Sequence, residues 1–298
     1  MEIKQISPLE HNFTEVLKKL VLIPKMLYYY GKLPDFRQKV VAVVGSRRNT
    51  QYGTNVAYKA AFQAAKAGAV VVSGLAYGID SVAHRAALDA GGTTIAVLGT
   101  PITEIYPREH TNLAKEIIEK GGVVISEYGP NDKPLGRSDM KARFLARNRI
   151  IAGLSDALLV VEAANRSGTL NTAMHALDLG IDLLAVPGDV TRLNSVGTNK
   201  LIKQGAIPYT EPDDLLDLLF PERIVKRRSK KLLKKFFLKT DTEAERQILT
   251  LIFEGISDGD EIMKKLKMSA SEFLMSMTML EIKGLIAALG SNQWMMRG

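Results

Sequence analysis

Six short apolar runs, Val40–Val44, Ala69–Ser73, Thr94–Leu98, Val123–Ser126, Ala157–Val161 and Asp182–Val186, constrain the fold of this chain more than any other feature. Each is rich in Val, Ile or Leu and bounded by Gly, Ser or Pro, which is how strands covered on both faces of a parallel sheet read. Helical patterns fall between them, near Tyr52–Ala67, Ile79–Ala90, Glu109–Lys120, Gly168–Leu179 and Val196–Gln204, several of them closing on a glycine. The alternation predicts a βαβ series, an α/β fold with a doubly wound, mainly parallel sheet. In such sheets ligands bind beyond the carboxyl ends of the strands, so the loops after each run are where function is sought.

The loops selected in this way carry anion-binding chemistry. Gly45-Ser46-Arg47-Arg48-Asn49-Thr50 follows the first run, and Ser73-Gly74-Leu75-Ala76-Tyr77-Gly78 follows the second. Their glycines let backbone approach a ligand closely, and Arg47 can fork onto a phosphate. Ahead of the fifth run lies a basic, aromatic-bearing stretch, expected to be a loop, in which Lys141, Arg143, Arg147 and Arg149 stand beside Phe144 and Asn148. Such a set can hold a phosphate chain and stack a base. Behind the run, Arg166-Ser167-Gly168-Thr169 opens a helix, and the free N–H groups of a helix start suit an anion. Gly45, Ser46, Arg47, Arg48, Ser73, Gly74, Lys141, Phe144, Arg147, Asn148, Arg149, Ser167 and Gly168 are therefore the candidate rim.

Other polar residues read as supports. Asp80 and His84, one turn apart, have no nucleophile spaced to work with them and are expected to cap or orient a loop. Glu127 and Glu162 follow strand ends and are expected to partner the arginines, since unpaired cations in a packed crevice are costly. The first loop lacks the GxGxxG dinucleotide pattern, and no GxxxxGK[ST] phosphate loop occurs. The ligand so implied is a polyanion rather than a nucleoside triphosphate, and no cofactor is indicated.

Length and charge set the domain plan. At 298 residues and 46% apolar content the chain has room for one large domain and a small one. Cysteine is absent and the four histidines are scattered, which removes disulfides and thiolate metal sites. No early apolar segment or membrane-length run is present, so a cytoplasmic location is expected, without membrane attachment. The +8 net charge comes from one segment: residues 226–239, KRRSKKLLKKFFLK, hold eight Lys/Arg, and the other 32 basic residues equal the 32 acidic ones. That segment reads as a solvated linker between two domains or as a tether for phosphate backbones or acidic membrane. The expected plan is a short helical lead-in at 1–39, in which Tyr28-Tyr29-Tyr30 packs against the main domain, then the α/β domain at 40–220, a basic linker at 221–239 and a small unit at 240–298.

The ordered motifs VAVVGSRR, VVSGLAYGIDSVAH, TTIAVLG, IYP, ISEYG, RNRIIAGLS, VVEAANRSGTLNTA, AVPG and GTNKLIKQGA closely resemble the DprA/Smf (DNA-processing protein A) family over roughly residues 40–210. The resemblance implies an extended Rossmann-like domain that binds single-stranded DNA without cutting it. It also implies a recombination mediator that protects incoming strands in natural transformation, helps load a RecA-type recombinase and forms homodimers. Carried onto this sequence, Gly45-Ser46-Arg47 would bind phosphate, with Lys141 beside it and Phe144 stacking a base.

The chain departs from the family in places. Phe144-Leu145-Ala146 replaces the Phe-Pro that many relatives carry before Arg-Asn-Arg, and Asp178, Gly180 and Ile181 stand where a Glu and Gly-Arg are usual. Residues 240–298 resemble the C-terminal winged-helix module of many relatives, with helices from Thr242, near Gly259–Leu266 and near Ala270–Lys283, then a hairpin around Ser291-Asn292. The third helix carries two glutamates and one lysine, unlike a major-groove reader, and Met275, Met277 and Met279 read as core or interface filling. The alternative to a DNA binder is a nucleotide-processing hydrolase on a related Rossmann-like fold, using Glu127 or Glu162 as general acid or base. Against it, Arg166-Ser167-Gly168-Thr169-Leu170 is the nearest segment to the motif such enzymes carry.

Overall fold

In the computed structural model the described residues are 2–35, 37–224, 233 and 236–297, and they divide into two units, Met1–Pro221 and Glu222–Gly298. In the first unit β1 (Lys4–Ile6) and β2 (Leu27–Gly31) precede β3 (Val40–Val44), α1 (Gln51–Lys66), β4 (Val70–Ser73), α2 (Ile79–Asp89), β5 (Thr94–Leu98), α3 (Thr111–Glu119) and β6 (Val123–Ser126). There follow α4 (Arg137–Leu154), β7 (Ala157–Val160), α5 (Gly168–Asp178), β8 (Asp182–Ala185), α6 (Val196–Lys203), β9 (Ile207–Pro208) and α7 (Pro212–Leu219). The strands form one sheet in the order β1-β2-β6-β5-β4-β3-β7-β8-β9, parallel from β6 through β9 and antiparallel at β1 and β2.

The period of two along β3 divides the core into two layers. Val40, Ala42 and Val44 face a layer with Ile150, Ile151 and Leu154 of α4 and Ala173 and Ala176 of α5. Val41 and Val43 face the other, with Ala57, Ala60, Ala61 and Ala64 of α1, Ile79 and Ala83 of α2, and Leu215 and Leu216 of α7. All five β3 side chains are buried, as a central parallel strand requires.

Two expectations from the sequence are corrected. Residues 1–39 are not a helical lead-in. Two short 3-10 turns, Pro8–Glu10 and Glu15–Lys19, lie between β1 and β2, and Tyr28–Gly31 pairs antiparallel with Val123–Ser126. Three consecutive tyrosines favour a pleated, half-buried strand over a helix, and the sheet edge at β6 supplies its partner. The basic stretch before β7 is not a loop either. It is the eighteen-residue helix α4, whose inward side includes Arg147 and Asn148 where an amphipathic pattern would place apolar residues.

In the second unit α8 (Glu243–Phe253), α9 (Gly259–Leu266) and α10 (Ala270–Ile282) precede a hairpin of β10 (Ile286–Gly290) and β11 (Gln293–Met296). Thr242, Asp258 and Ser269 each cap a helix by accepting an N–H three residues on. Ser291 and Asn292 turn the hairpin at positive φ. Ile248, Leu249, Ile262, Phe273, Met277 and Leu280 form a core of their own, while Met275 and Met279 of α10 remain exposed. The basic segment 226–239 lies for the most part outside the described residues.

Candidate nucleic-acid interface

β3 has β4 on one side and β7 on the other, so the chain leaves the two sides of β3 in opposite directions and a crevice opens at the carboxyl edge. It is an open cavity of about 820 Å3. Its walls are the loop after β3, the start of α5 and one stripe of α4, where Arg137, Lys141, Phe144 and Asn148 recur at helical spacing.

The loop after β3 is tied down by its carbonyls, which leaves the Arg47 and Arg48 side chains exposed at the crevice. The Gly45 carbonyl accepts from Thr169 Oγ1 at 3.0 Å, that of Ser46 from the Ile79 N–H at 3.2 Å and that of Arg48 from Asn194 Nδ2 at 2.8 Å. Ser46 Oγ accepts the Arg48 N–H at 3.1 Å. Arg47 and Arg48 are exposed, and the Arg47 guanidinium stands 5.6 Å from the centre of the Phe144 ring. Across the crevice Ser167 caps α5 by accepting the Thr169 N–H at 3.2 Å, and Asn148 Nδ2 donates to Gly168 O at 3.3 Å and Asn171 Oδ1 at 3.1 Å. Asn148 thus holds the turn that presents exposed Gly168 to the cavity.

Besides the buried Arg147, five cations line the cavity: Arg47, Arg48, Arg137, Lys141 and Arg166. Among the described residues the ion pairs lie elsewhere, so none of the five has a carboxylate within pairing distance. Positive charge without an internal partner, gathered in a concave site, raises the local concentration of an anion.

The arginines of α4 divide by helical phase. Arg147 and Arg149 are two residues apart and cannot share a face. Arg147 is 4% exposed and donates to Gly74 O at 2.8 Å and to Val97 O. Burial pushes its guanidinium down to about 10, which leaves it protonated at neutral pH. Arg149 reaches the other way, forking onto Glu127 at 2.7 and 2.6 Å and onto Leu22 O at 2.8 Å. Arg143 lies over Tyr128, 4.4 Å from the ring centre, and donates to Asp139 at 3.0 Å and to Asp132 O. Of the four α4 cations named from sequence, Lys141 alone is exposed in the cavity, and Arg147 forms part of its floor.

Gly74 and Ser73 also have internal duties. A Cβ on Gly74 would stand about 2.5 Å from the Arg147 guanidinium, so that glycine admits a side chain of this chain rather than a ligand. Ser73 is fully buried and donates to Val43 O at 2.7 Å. A Cβ on Gly99 would stand 2.6 Å from Phe144 Cδ1, so the ring lies directly on the end of β5. Arg137, Asn194 and Tyr106 line the cavity and were not singled out from sequence, and Arg166, named there only as part of the turn before α5, lines it as well. Arg137 follows once 137–154 is seen as a helix, because it stands one turn before Lys141.

The acidic residues are committed. Asp80 accepts from the Gly74 N–H at 3.1 Å, so that Asp80 and Arg147 grip the same residue, one at its N–H and the other at its carbonyl. Burial raises the Asp80 carboxyl and the Arg147 charge opposes that rise. His84 is fully buried. Thr94 Oγ1 donates to Val71 O at 2.7 Å and so accepts from His84 Nδ1 at 2.7 Å, and burial pushes the ring down to about 3, so it is neutral. Glu127 partners Arg149 as expected, but Glu162 partners no arginine. It accepts the Thr50 N–H at 2.9 Å and Thr50 Oγ1 at 2.6 Å, placing a carboxylate at the start of α1. Among the described residues no group of His, Asp or Glu is placed to hold a metal ion, and no helix is long and apolar enough to cross a membrane.

Known proteins share this architecture. The chain is 44% identical over 196 residues to protein Smf of Escherichia coli, a match covering 66% of this chain and 51% of that one, so it spans about half the length of that relative. The solved structure of DNA processing protein A from Streptococcus pneumoniae superposes with a TM-score of 0.65 at 40% identity, covering 72% of this chain and 74% of that one. A structure of DNA processing protein A from Helicobacter pylori, described for its unique single-stranded DNA binding mode, superposes with a TM-score of 0.64 at 29% identity, covering 74% of this chain and 97% of that one. The profile described as DNA recombination-mediator protein A matches residues 4–220, most of the chain and nearly all of the first unit, and the chain belongs to that family.

Proposed function

We propose that this chain binds unpaired DNA in the crevice at the β3/β7 switch point and hands it to a RecA-type recombinase without cutting it. The observation that carries the reading is a set of cations, Arg47, Arg48, Arg137, Lys141 and Arg166, with no carboxylate within pairing distance among the described residues, gathered around the Phe144 ring. Arg47, Lys141 and the Gly168 turn hold successive phosphates, and Phe144 takes a base by stacking, which any base satisfies. The single-stranded DNA bound by the Helicobacter pylori relative supports this reading. Glu127 and Glu162, the carboxylates a hydrolase would use, are engaged with Arg149 and Thr50.

Recombinase loading, a homodimeric state and work in the cytoplasm are part of the same proposal and rest on the family to which the chain belongs. The three-helix and hairpin order of the C-terminal unit fits a winged-helix-like module. The deciding experiment measures anisotropy of a labelled oligodeoxythymidylate against an equal-length duplex. Arg47→Ala or Lys141→Ala should each weaken single-strand binding ~10- to 150-fold, the equivalent of one charge-assisted contact of ~1.5–3 kcal/mol, with the melting transition unchanged. Tighter binding of duplex, or unaltered affinity in both variants, rejects the site.

A further inference from the structure

Two more aromatic rings stand in the loops after β4 and β5, Tyr77 beside the main cavity and Tyr106 on its wall. Tyr77 and Tyr106 are each 41% exposed. Tyr106 lies 5.3 Å from Phe144, centre to centre. Tyr77 and Tyr106 line a shallow recess together with Phe144 and Arg47, and Arg47, Tyr106 and Phe144 line the main cavity as well. The recess holds about 10 Å3, little more than one water, so a base would lie across the rings rather than inside it.

The rings are fixed before any ligand arrives. The His110 ring packs edge-on against Tyr77 at 5.2 Å and is itself held by Leu75 O, 2.7 Å from Nδ1. The Glu109 carboxylate beside the Tyr77 hydroxyl raises the tyrosine and is itself lowered. Tyr106 is followed by buried Pro107. A platform already ordered loses little freedom on binding. Glu109 stays charged at neutral pH and repels phosphate, so the surface suits a base and not the backbone.

We propose that Tyr106 and Tyr77 form a second stacking platform, which takes the nucleobase next to the one on Phe144 while Arg47, shared by the two recesses, holds the phosphate between them. The proposal rests on the Phe144 site described above and extends it along the edge of β4 and β5. It makes the binding site longer in that direction and leaves it tolerant of sequence, because both surfaces are π-faces.

The test uses the full chain and a ladder of oligodeoxythymidylates from two to twelve nucleotides. Tyr77→Ala and Tyr106→Ala should each lower affinity for the longer oligomers by ~5- to 150-fold, the range for one lost base–ring stack, with little change for the dinucleotide. Tyr77→Phe and Tyr106→Phe, which keep the rings, should restore long-oligomer affinity. An oligomer carrying 5-iododeoxyuridine, irradiated with the unaltered chain, should crosslink at Tyr77 or Tyr106, a readout that needs no variant to fold. Full affinity in both alanine variants, or crosslinks confined to Phe144, overturns the second platform while the Phe144 site stands. If Phe144→Ala also binds every oligomer normally, the site on which the platform depends falls with it.

Discussion

Replacing Arg147 with methionine isolates the ionic clamp beneath the crevice. The substitution keeps the length of the side chain and removes its charge, leaving the carbonyls of Gly74 and Val97 without their donor and Asp80 without the charge that steadies it. Breaking a buried ionic arrangement by deleting one partner costs about 3–5 kcal/mol. For a unit of the size of Met1–Pro221 that lowers the melting temperature on the order of 6–20 °C. Scanning calorimetry reads the loss, and fluorescence of the sole tryptophan, Trp294, follows the C-terminal unit separately.

The deficit should depend on pH in a stated direction. Burial already raises Asp80 in the folded chain, and loss of Arg147 raises it further. A group raised in the folded state contributes stability that is complete below its unfolded pKa and is lost as pH rises through the folded value. Arg147→Met should therefore lie closest to the parent near pH 4 and fall behind as pH climbs. Adding Asp80→Asn to Arg147→Met should recover part of the loss. A deficit under about 1 kcal/mol, or one equal at pH 5 and pH 8, would refute the clamp.

Other substitutions separate support from binding. Arg149→Ala, which breaks the fork onto Glu127, should destabilise by about 1.5–3 kcal/mol in thermal melts yet leave single-strand affinity within about twofold. A larger loss of affinity would place Arg149 in the site. Glu162→Gln weakens the bonds to Thr50 at the start of α1 and should cost about 1–3 kcal/mol in denaturant titrations. Phe144→Ala should weaken oligonucleotide binding by about 1–3 kcal/mol in anisotropy titrations, equally for different base compositions. For Arg47→Ala and Lys141→Ala, plots of log affinity against log salt should each flatten by about 0.7 per phosphate contact removed, and unaltered slopes would mean that neither cation meets the backbone.

The central sheet was legible because its strands are buried on both faces: Val40–Val44 reads as an unbroken apolar run and can be little else. The loop after β3 was legible for the same reason, since it follows at a fixed place. Helix α4 was not, because its inward residues include Arg147 and Asn148, which partner backbone and side-chain groups that only the folded chain brings near. Read as a loop, the stretch let Lys141, Arg143, Arg147 and Arg149 point one way. Read as a helix, it sends them to the cavity, to Tyr128, into the core and to Glu127. β2 was hidden because an antiparallel edge depends on a partner, here β6, nearly a hundred residues away in sequence, and β1 in turn depends on β2. Glu162 looked like a partner for arginine because its use, holding Thr50 at the start of α1, is a contact across 112 positions.

The most direct measurement is a crystal structure of the chain with a short oligodeoxythymidylate. The account predicts a base against the Phe144 ring, with phosphate oxygens within hydrogen-bond reach of Arg47, Lys141 and the N–H groups that open α5. Nucleic acid bound elsewhere, with the crevice at the β3/β7 switch point holding only solvent, would contradict it.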